Sequence, residues 1–176
     1  MLNSLARRLF LGRGNATAPI VNVVRMEGII ASSRGARGPQ ARRIISLERV
    51  EKWLKRAFMP GMSTFRPSAV AVIITSPGGS AAQSELIHQR IRSLAKQTGT
   101  PVITFAEDVA ASGGYWLMCA GDEMASTATS LVGSIGVITS GFGLHKVLEK
   151  YEIERRVFTA GKYKDQLDPF RKVPHF

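Results

Sequence analysis

The sequence predicts an α/β domain built from repeated βαβ units. Short runs rich in Val, Ile and Thr recur along the chain, and stretches with helical periodicity separate them. Turns rich in Gly, Pro and Ser mark several of the junctions. Strands that alternate with helices in this way are typical of α/β architecture. A length of 176 residues suits a single domain with a sizeable core.

The first half of the chain carries two predicted strands with a helix between them. We predict strands over residues 20–26 and 70–75, because both segments are apolar and β-branched. The stretch 46–58 places Leu47, Val50 and Leu54 on one helical face and cations on another. Residues 31–43 are rich in Ser, Gly and Arg, which indicates an exposed loop.

The second half continues the alternation. A helix is predicted over residues 80–97, because Ser80 and Gln83 have capping-box spacing and Gly99 follows the last helical turn. Further elements are predicted in order: a strand over 101–105, a helix over 115–120, a strand over 123–125, strands and turns over 127–140, a helix over 143–151 and a strand over 155–159.

Ser112 is the candidate nucleophile. It lies among small residues between the predicted strand 101–105 and the predicted helix 115–120, where neither a helical ladder nor a bulky neighbour shields it. The alternative is that Ser112 only caps the helix, a common role for serine. Upstream, Gly78 and Gly79 follow the strand 70–75, and paired glycines leave free amides for an oxyanion hole.

Four segments resemble a known family. SPGG, VAASGGYW, LVGSIGV and AGKYKDQLDPF occur in the order and spacing of the signal peptide peptidase A family of serine proteases, peptidase family S49. The resemblance runs from about residue 19 to about residue 173. It implies the fold shared by Clp proteases and crotonases. It also implies a peptide hydrolase whose substrates are cleaved signal peptides or unfolded hydrophobic segments.

The resemblance assigns roles by position. It implies Ser112 as nucleophile, Lys164 as general base, and the amides of Gly79 and Ser112 as the oxyanion hole. Residues expected to line the site are Gly78, Gly113 and Ser134, although Ser134 also suits a simple turn.

Other bases remain open. Lys162 competes with Lys164 for the role of base, and a Ser-His-Asp triad would need His88, His145 or His175. A lysine base must be neutral, which requires an apolar setting without a close carboxylate, so Asp165 must point away from the Lys164 amine. The Ser93-x-x-Lys96 pattern lacks the companion motifs of the other serine enzymes that use it.

Two alternative functions follow from the same features. One is an inactive family member that assembles as an oligomer or binds peptides. The other is an acyl-CoA enzyme of the crotonase type, which needs the oxyanion hole but no Ser-Lys pair. Relatives can combine Ser and Lys from adjacent domains or protomers, which implies a homo-oligomer here. We expect no metal and no organic cofactor, because the sequence shows no metal-ligand cluster.

The charge is concentrated at one end. Residues 1–56 carry 12 Lys and Arg against 3 acidic residues, so most of the net charge of +11 lies there. We expect residues 1–18 to be a basic tail or a targeting segment, and residues 19–176 to form an S49-type peptidase domain that is short at its C-terminus.

The basic end suits contact with an anionic membrane surface, whereas no aromatic-rich basic patch supports nucleic-acid binding. The expected location is cytoplasmic or membrane-peripheral, or mitochondrial if residues 1–18 are a presequence. No run of 18 apolar residues predicts a transmembrane helix. Cys119 stands alone in an apolar run and is expected in the core.

Overall fold

The computed structural model describes residues 19–33, 43–59, 66–138, 140–160 and 168–172. The chain divides into two units, residues 1–137 and residues 138–176. In chain order the elements of the first unit are β1 (Val21–Glu27), β2 (Ile29–Ile30), β3 (Ile44–Ile45), α1 (Leu47–Phe58), β4 (Ala69–Ser76), α2 (Ala81–Thr98), β5 (Val102–Ala111), α3 (Gly113–Met118), β6 (Glu123–Ser126) and β7 (Leu131–Gly133).

A parallel sheet organises the first unit. Its strand order is β1-β4-β5-β6, and β7 pairs with β5 as well. Strand β5 has ten residues, so residues 103–106 pair with β6 while residues 109–111 pair with β7. Strands β2 and β3 form a separate parallel pair. The parallel pairing confirms the βαβ organisation predicted from the sequence, because each crossover needs an intervening helix or long connection.

Helices α1 and α2 pack their apolar faces into the core. Val50, Leu54 and Phe58 of α1 are buried, and Ile87 and Leu94 of α2 are fully buried. Burial of each such side chain stabilises the fold by about 1.5–3 kcal/mol. The predicted helices over 46–58 and 80–97 are therefore confirmed within one residue at each end.

The start of α2 joins three parts of the chain. The Ser80 hydroxyl accepts a hydrogen bond from the Gln83 amide at 3.3 Å, which is half of the predicted capping box. The Gln83 side chain does not return to Ser80; it accepts from the amide of Leu47, at the start of α1, at 3.0 Å. The Ser80 amide donates to the Ile30 carbonyl at 2.7 Å. At the other end, Gly99 has φ 66°, as its predicted cap position requires.

The second unit is smaller. Its helix α4 spans His145–Lys150, close to the predicted 143–151. The Leu144 amide donates to the Pro169 carbonyl at 2.7 Å, and Arg155 forms an ion pair with Asp168. Hydrogen bonding from the Phe170 amide, with the Arg155 guanidinium beside it, lowers the pKa of Asp168 below its usual range.

Three expectations are corrected. Strand β5 continues to Ala111, well past the predicted end at residue 105, because β7 pairs with its last residues. The strand predicted over 155–159 is wrong: these residues are irregular and exposed, and no described strand pairs with them. Cys119 is exposed, because it follows the last turn of α3 on the side away from the core.

In the part of the chain that the structure describes, no helix combines the length and the apolar character needed to cross a bilayer.

Candidate active site

Ser112 occupies the turn between β5 and α3. Its φ of 51° and ψ of −119° lie outside the regions that residues with a side chain normally adopt. The residue stands at the N-cap position of α3, yet its side chain makes no capping hydrogen bond. The hydroxyl of this partly exposed residue is therefore not used by the helix, in contrast to the alternative in which Ser112 is only a cap.

The backbone amide of Ser112 is already bonded. It donates to the Gly133 carbonyl at the end of β7, at 2.9 Å. The Ser112 amide, predicted as one oxyanion donor, is therefore not free to bind an oxyanion in this structure. The reason is the β5-β7 pairing, which continues from Ala111 into the turn and holds Ser112 in place.

The glycine turn after β4 lies directly against the candidate nucleophile, Ser112. Gly78 has φ 99° and Gly79 has φ 141°, both in the region that favours glycine. A Cβ added at Gly78 would lie 2.8 Å from the Ser112 Cβ and 2.9 Å from the Gly113 amide nitrogen. A Cβ at Gly79 would lie 2.1 Å from the Ile30 carbonyl oxygen. The structure thus brings Gly78, predicted to line the site, into contact with Ser112.

Two amides beside Ser112 are free. Within the described part of the chain, neither the Gly79 amide nor the Gly113 amide donates a hydrogen bond, whereas the Gly78 amide donates to the Ser76 hydroxyl at 3.1 Å. Gly113 begins α3, and the first amides of a helix have no acceptor within it. Gly113 was predicted only as a lining residue. Its position at the start of a helix is the signal that could have identified its amide as a donor.

There is also no room for a side chain at position 113. A Cβ there would lie 2.3 Å from the Ser84 hydroxyl oxygen and 3.2 Å from the Ile30 Cδ1. The Ser84 hydroxyl donates to the Ser80 carbonyl at 2.9 Å, within the first turn of α2. Helices α2 and α3 therefore approach each other closely beside the candidate nucleophile.

Ser134 follows the residue that accepts the Ser112 amide. It is exposed and has φ 54°, an uncommon conformation for a serine. The predicted base Lys164 and its competitor Lys162 both lie outside the described residues, as do Asp165 and His175.

The two described histidines lie in different units of the chain. The His88 ring contacts the Trp116 ring, with centroids 5.9 Å apart, and His145 belongs to the second unit. Within the described part of the first unit, the Ser112 hydroxyl makes no capping hydrogen bond, and His88 packs on Trp116 rather than on Ser112.

A polar cluster surrounds Trp116, one turn after Ser112. The indole N–H of Trp116 donates to Glu85 at 2.6 Å, and Gln89 donates to the same carboxylate. The bond from Trp116, with that from Gln89, holds the pKa of Glu85 below its usual range. Trp116 is nevertheless 48% exposed. No group of three or more His, Cys, Asp or Glu among the described residues is arranged to hold a metal ion.

Known proteins similar to this chain include a peptidase family, an antiporter and a serine protease. Residues 94–175 match peptidase family S49. The chain is 43% identical over 170 residues to a Na⁺/H⁺ antiporter NhaA of Brucella melitensis, covering 97% of this chain and 22% of that protein. It is 33% identical over 147 residues to the chloroplastic serine protease SPPA of Arabidopsis thaliana, covering 84% of this chain and 21% of that protein. The chain thus spans about a fifth of each relative's length.

The fold is shared with a solved protease. A mutant of a membrane-bound stomatin-specific protease superposes with a TM-score of 0.53 at 21% identity, over 72% of this chain and 52% of that chain. With the parallel sheet, this likeness confirms the α/β fold of the Clp protease and crotonase type. The S49 match over residues 94–175 and the similarity to SPPA both support an SppA-like protease of peptidase family S49.

Proposed function

We propose that the chain is a serine endopeptidase in which Ser112 is the nucleophile and Lys164 the general base. The observation that carries the proposal is the placement of Ser112: a strained turn holds this residue, whose hydroxyl is uncapped, against Gly78. The match to peptidase family S49 supports the class of reaction, and the AGKYKDQLDPF segment supports Lys164 as the base.

The oxyanion hole in this proposal consists of the amides of Gly79 and Gly113. Both are free among the described residues, and Gly78 joins them by packing on Ser112 and Gly113. Two preorganised N–H donors aimed at a developing oxyanion lower the barrier more than they lower the energy of the bound substrate. The Ser112 amide, bonded to Gly133, instead fixes the turn that presents the hydroxyl.

The reaction proceeds in two stages. The neutral amine of Lys164 removes the proton of the Ser112 hydroxyl as the oxygen attacks the peptide carbonyl, and a tetrahedral oxyanion forms. The intermediate collapses, the C–N bond breaks, and the lysine delivers the proton to the leaving amine. Water, deprotonated by the same lysine, then attacks the acyl-serine and restores Ser112. No step requires a metal or an organic cofactor.

The proposed substrates are extended hydrophobic peptides, such as cleaved signal peptides or unfolded segments. Leu131 is 62% exposed and Ile135 is 74% exposed, and both lie within four residues of Gly133, the residue bonded to Ser112. Apolar side chains left exposed around a nucleophile favour apolar ligands or a second protomer. We therefore also propose a homo-oligomer. We further propose that the basic N-terminus contacts an anionic membrane surface, because of its charge.

The proposal is tested by covalent labelling with a fluorophosphonate, followed by the intact mass of the chain. We expect one adduct on the wild type and none on Ser112→Ala or Lys164→Ala. The matched controls are Ser93→Ala and Lys162→Ala, which remove the competing candidates and should keep the adduct. Labelling that survives Ser112→Ala would refute the proposed nucleophile. A folded, oligomeric wild type without an adduct would favour the inactive, peptide-binding alternative.

A further inference from the structure

Strand β1 has an open edge in the described part of the chain. It stands first in the strand order, so β4 pairs with one side of it only. The Ile20 carbonyl accepts from Ser68, and the Gly28 amide donates to Thr75. Even-numbered residues therefore direct their backbone groups to β4, because these groups alternate sides along a strand. The N–H and C=O groups of Val21, Val23 and Arg25 point to the open side.

A cavity of about 500 Å³ runs along this open edge. Its walls are residues 22–25 of β1 and Trp53, Arg56 and Ala57 of α1. The Asn22 side chain donates to the Ala57 carbonyl at 2.8 Å, which fixes the distance between the strand and the helix. The cavity thus has the shape of a groove with unpaired backbone groups on one side and a helix on the other.

The two faces of strand β1 differ in chemistry. On the helix side, Trp53 is 52% exposed and Arg56 lines the cavity. Lys52 lies one helical turn before Arg56 on α1, and neither cation forms an ion pair with any described residue. On the opposite face of the strand, Val21 and Val23 are 42% and 58% exposed.

The acids near the groove are already paired or lie outside it. Glu107 is paired with Arg25 on the face away from α1, and Glu27 lies on that same face at the end of the strand. Glu51 binds Arg90 and Lys55. The helix side of the groove therefore keeps a net positive charge.

We propose that this groove binds an extended acidic segment of another protein as an added strand on β1. Its backbone would pair with Val21, Val23 and Arg25, acidic side chains would meet Arg56 and Lys52, and apolar side chains on the other face would meet the exposed valines. Charge complementarity favours an acidic segment over residues 1–18 of this chain and over a second copy. Residues 1–18 contain three arginines and no acid, and a second copy would oppose the same cations.

The groove is remote from Ser112. Arg25 pairs with Ile73, and Ile73 pairs with Phe105, seven residues before Ser112 on the extended β5. At about 3.3 Å per residue this distance is ~20 Å along the sheet. The proposal therefore does not depend on the proposed peptidase activity, and fluorophosphonate labelling of Ser112 serves as an independent control.

The first experiment measures binding by fluorescence anisotropy. The probe is a labelled octapeptide of alternating Glu and Val, and the matched control alternates Lys and Val. We expect the acidic peptide to bind, with an affinity that falls as salt is added, and the basic peptide not to bind. An added strand would pair with β1 through one of its two edges. N-methylation of alternate residues should therefore abolish binding when it removes the N–H groups of that edge, and preserve binding when it removes those of the other edge.

Variants of the full chain locate the site. Arg56→Glu should weaken binding of the acidic peptide about tenfold, because it reverses a charge in the groove. Val23→Pro removes one N–H on the open side without removing a bond to β4, and should abolish binding, whereas Val23→Ala should not.

Three results would overturn the proposal. Equal binding of both N-methylated isomers would exclude strand pairing, and an unchanged affinity in Arg56→Glu would exclude this groove. A dimer that dissociates on Val23→Pro, without peptide binding by the wild type, would instead assign the edge to a second copy.

Discussion

Gly78 and Ser112 are so close that a Cβ on the glycine would lie 2.8 Å from the serine Cβ. The same atom would lie 2.8 Å from the Ala111 carbonyl oxygen and 2.9 Å from the Gly113 nitrogen. Backbone atoms on opposite sides of the turn thus confine position 78, and the glycine at this position lets two separate turns meet. The candidate nucleophile and the proposed oxyanion hole depend on this contact.

Gly78→Ala should therefore destabilise the fold and abolish labelling of Ser112. The added methyl group meets backbone, and the φ of 99° is unfavourable for alanine, so we expect a loss of about 2–4 kcal/mol of unfolding free energy. Urea unfolding and the fluorophosphonate rate measure the two effects. Gly99→Ala is the control: its φ of 66° costs about 1 kcal/mol, but no atom lies within 4 Å of the new Cβ. Equal effects at the two sites would contradict this prediction.

The contact between Gly113 and Ser84 predicts a non-additive pair. Gly113→Ala alone places a methyl group 2.3 Å from the Ser84 hydroxyl and should cost about 1–3 kcal/mol. Ser84→Ala removes that oxygen and leaves the Ser84 Cβ at 3.4 Å, so the double variant should be more stable than the sum of the single effects predicts. A double-mutant cycle from urea unfolding measures the coupling. If the two changes in unfolding free energy simply add, then α2 and α3 move apart to accommodate the methyl group.

Glu51 should contribute to stability in a pH-dependent manner. Arg90 donates hydrogen bonds of 2.9 and 2.8 Å to this carboxylate and is the main reason that its pKa lies below the ordinary 4.5. A lowered pKa in the folded state means that the contribution is complete above pH 4.5 and disappears as the pH falls through the lower folded value. Glu51→Gln should cost about 1 kcal/mol at neutral pH and flatten the acid dependence.

Unfolding in urea at several pH values measures this difference. Glu154→Gln serves as the control, because the Glu154–Arg156 side chains are 72% and 73% exposed and such pairs contribute little. If both variants shift the acid limb of the stability curve equally, general charge rather than the Arg90 bond is responsible.

Gln83 of α2 should stabilise the fold through its hydrogen bond to the start of α1. Its side-chain oxygen accepts the first amide of α1, that of Leu47, at 3.0 Å, so Gln83→Ala leaves a partly buried donor unpaired. We expect a loss of about 1 kcal/mol in thermal or urea unfolding. Gln89→Ala, on the exposed side of the same helix, should cost less. Equal costs would indicate that only helix propensity changed.

Much of the framework was predictable because its signals are local. The cap and stop residues of α2, Ser80 and Gly99, define its ends in the sequence, and the apolar face of α1 predicts its packing. The glycine pair and Ser112 were likewise found from residue types at element junctions. In each of these places a few neighbouring residues determine the local conformation.

The predictions that failed concern residues whose hydrogen-bond or strand partners are distant in sequence. Glu107 and Asp108 interrupt the apolar pattern, so that pattern alone ends β5 too early, and only pairing with Leu131 and its neighbours extends the strand. The same pairing occupies the Ser112 amide, which no local pattern indicates. Residues 155–159 were predicted to form a strand, but a strand also needs a neighbour to pair with.

The Ser112 turn also has a consequence for the order of events during synthesis. Its conformation is held by Gly133, and the facing glycine turn is held by Ile30 through the bonds of Gly78 and Ser80. None of these contacts is local, so each must wait for loop closure over a long stretch of chain. A nascent polypeptide whose β7 is still inside the ribosome has the serine but not its presenting turn. The geometry in which Ser112 faces the glycine turn thus arises only after the sheet has assembled.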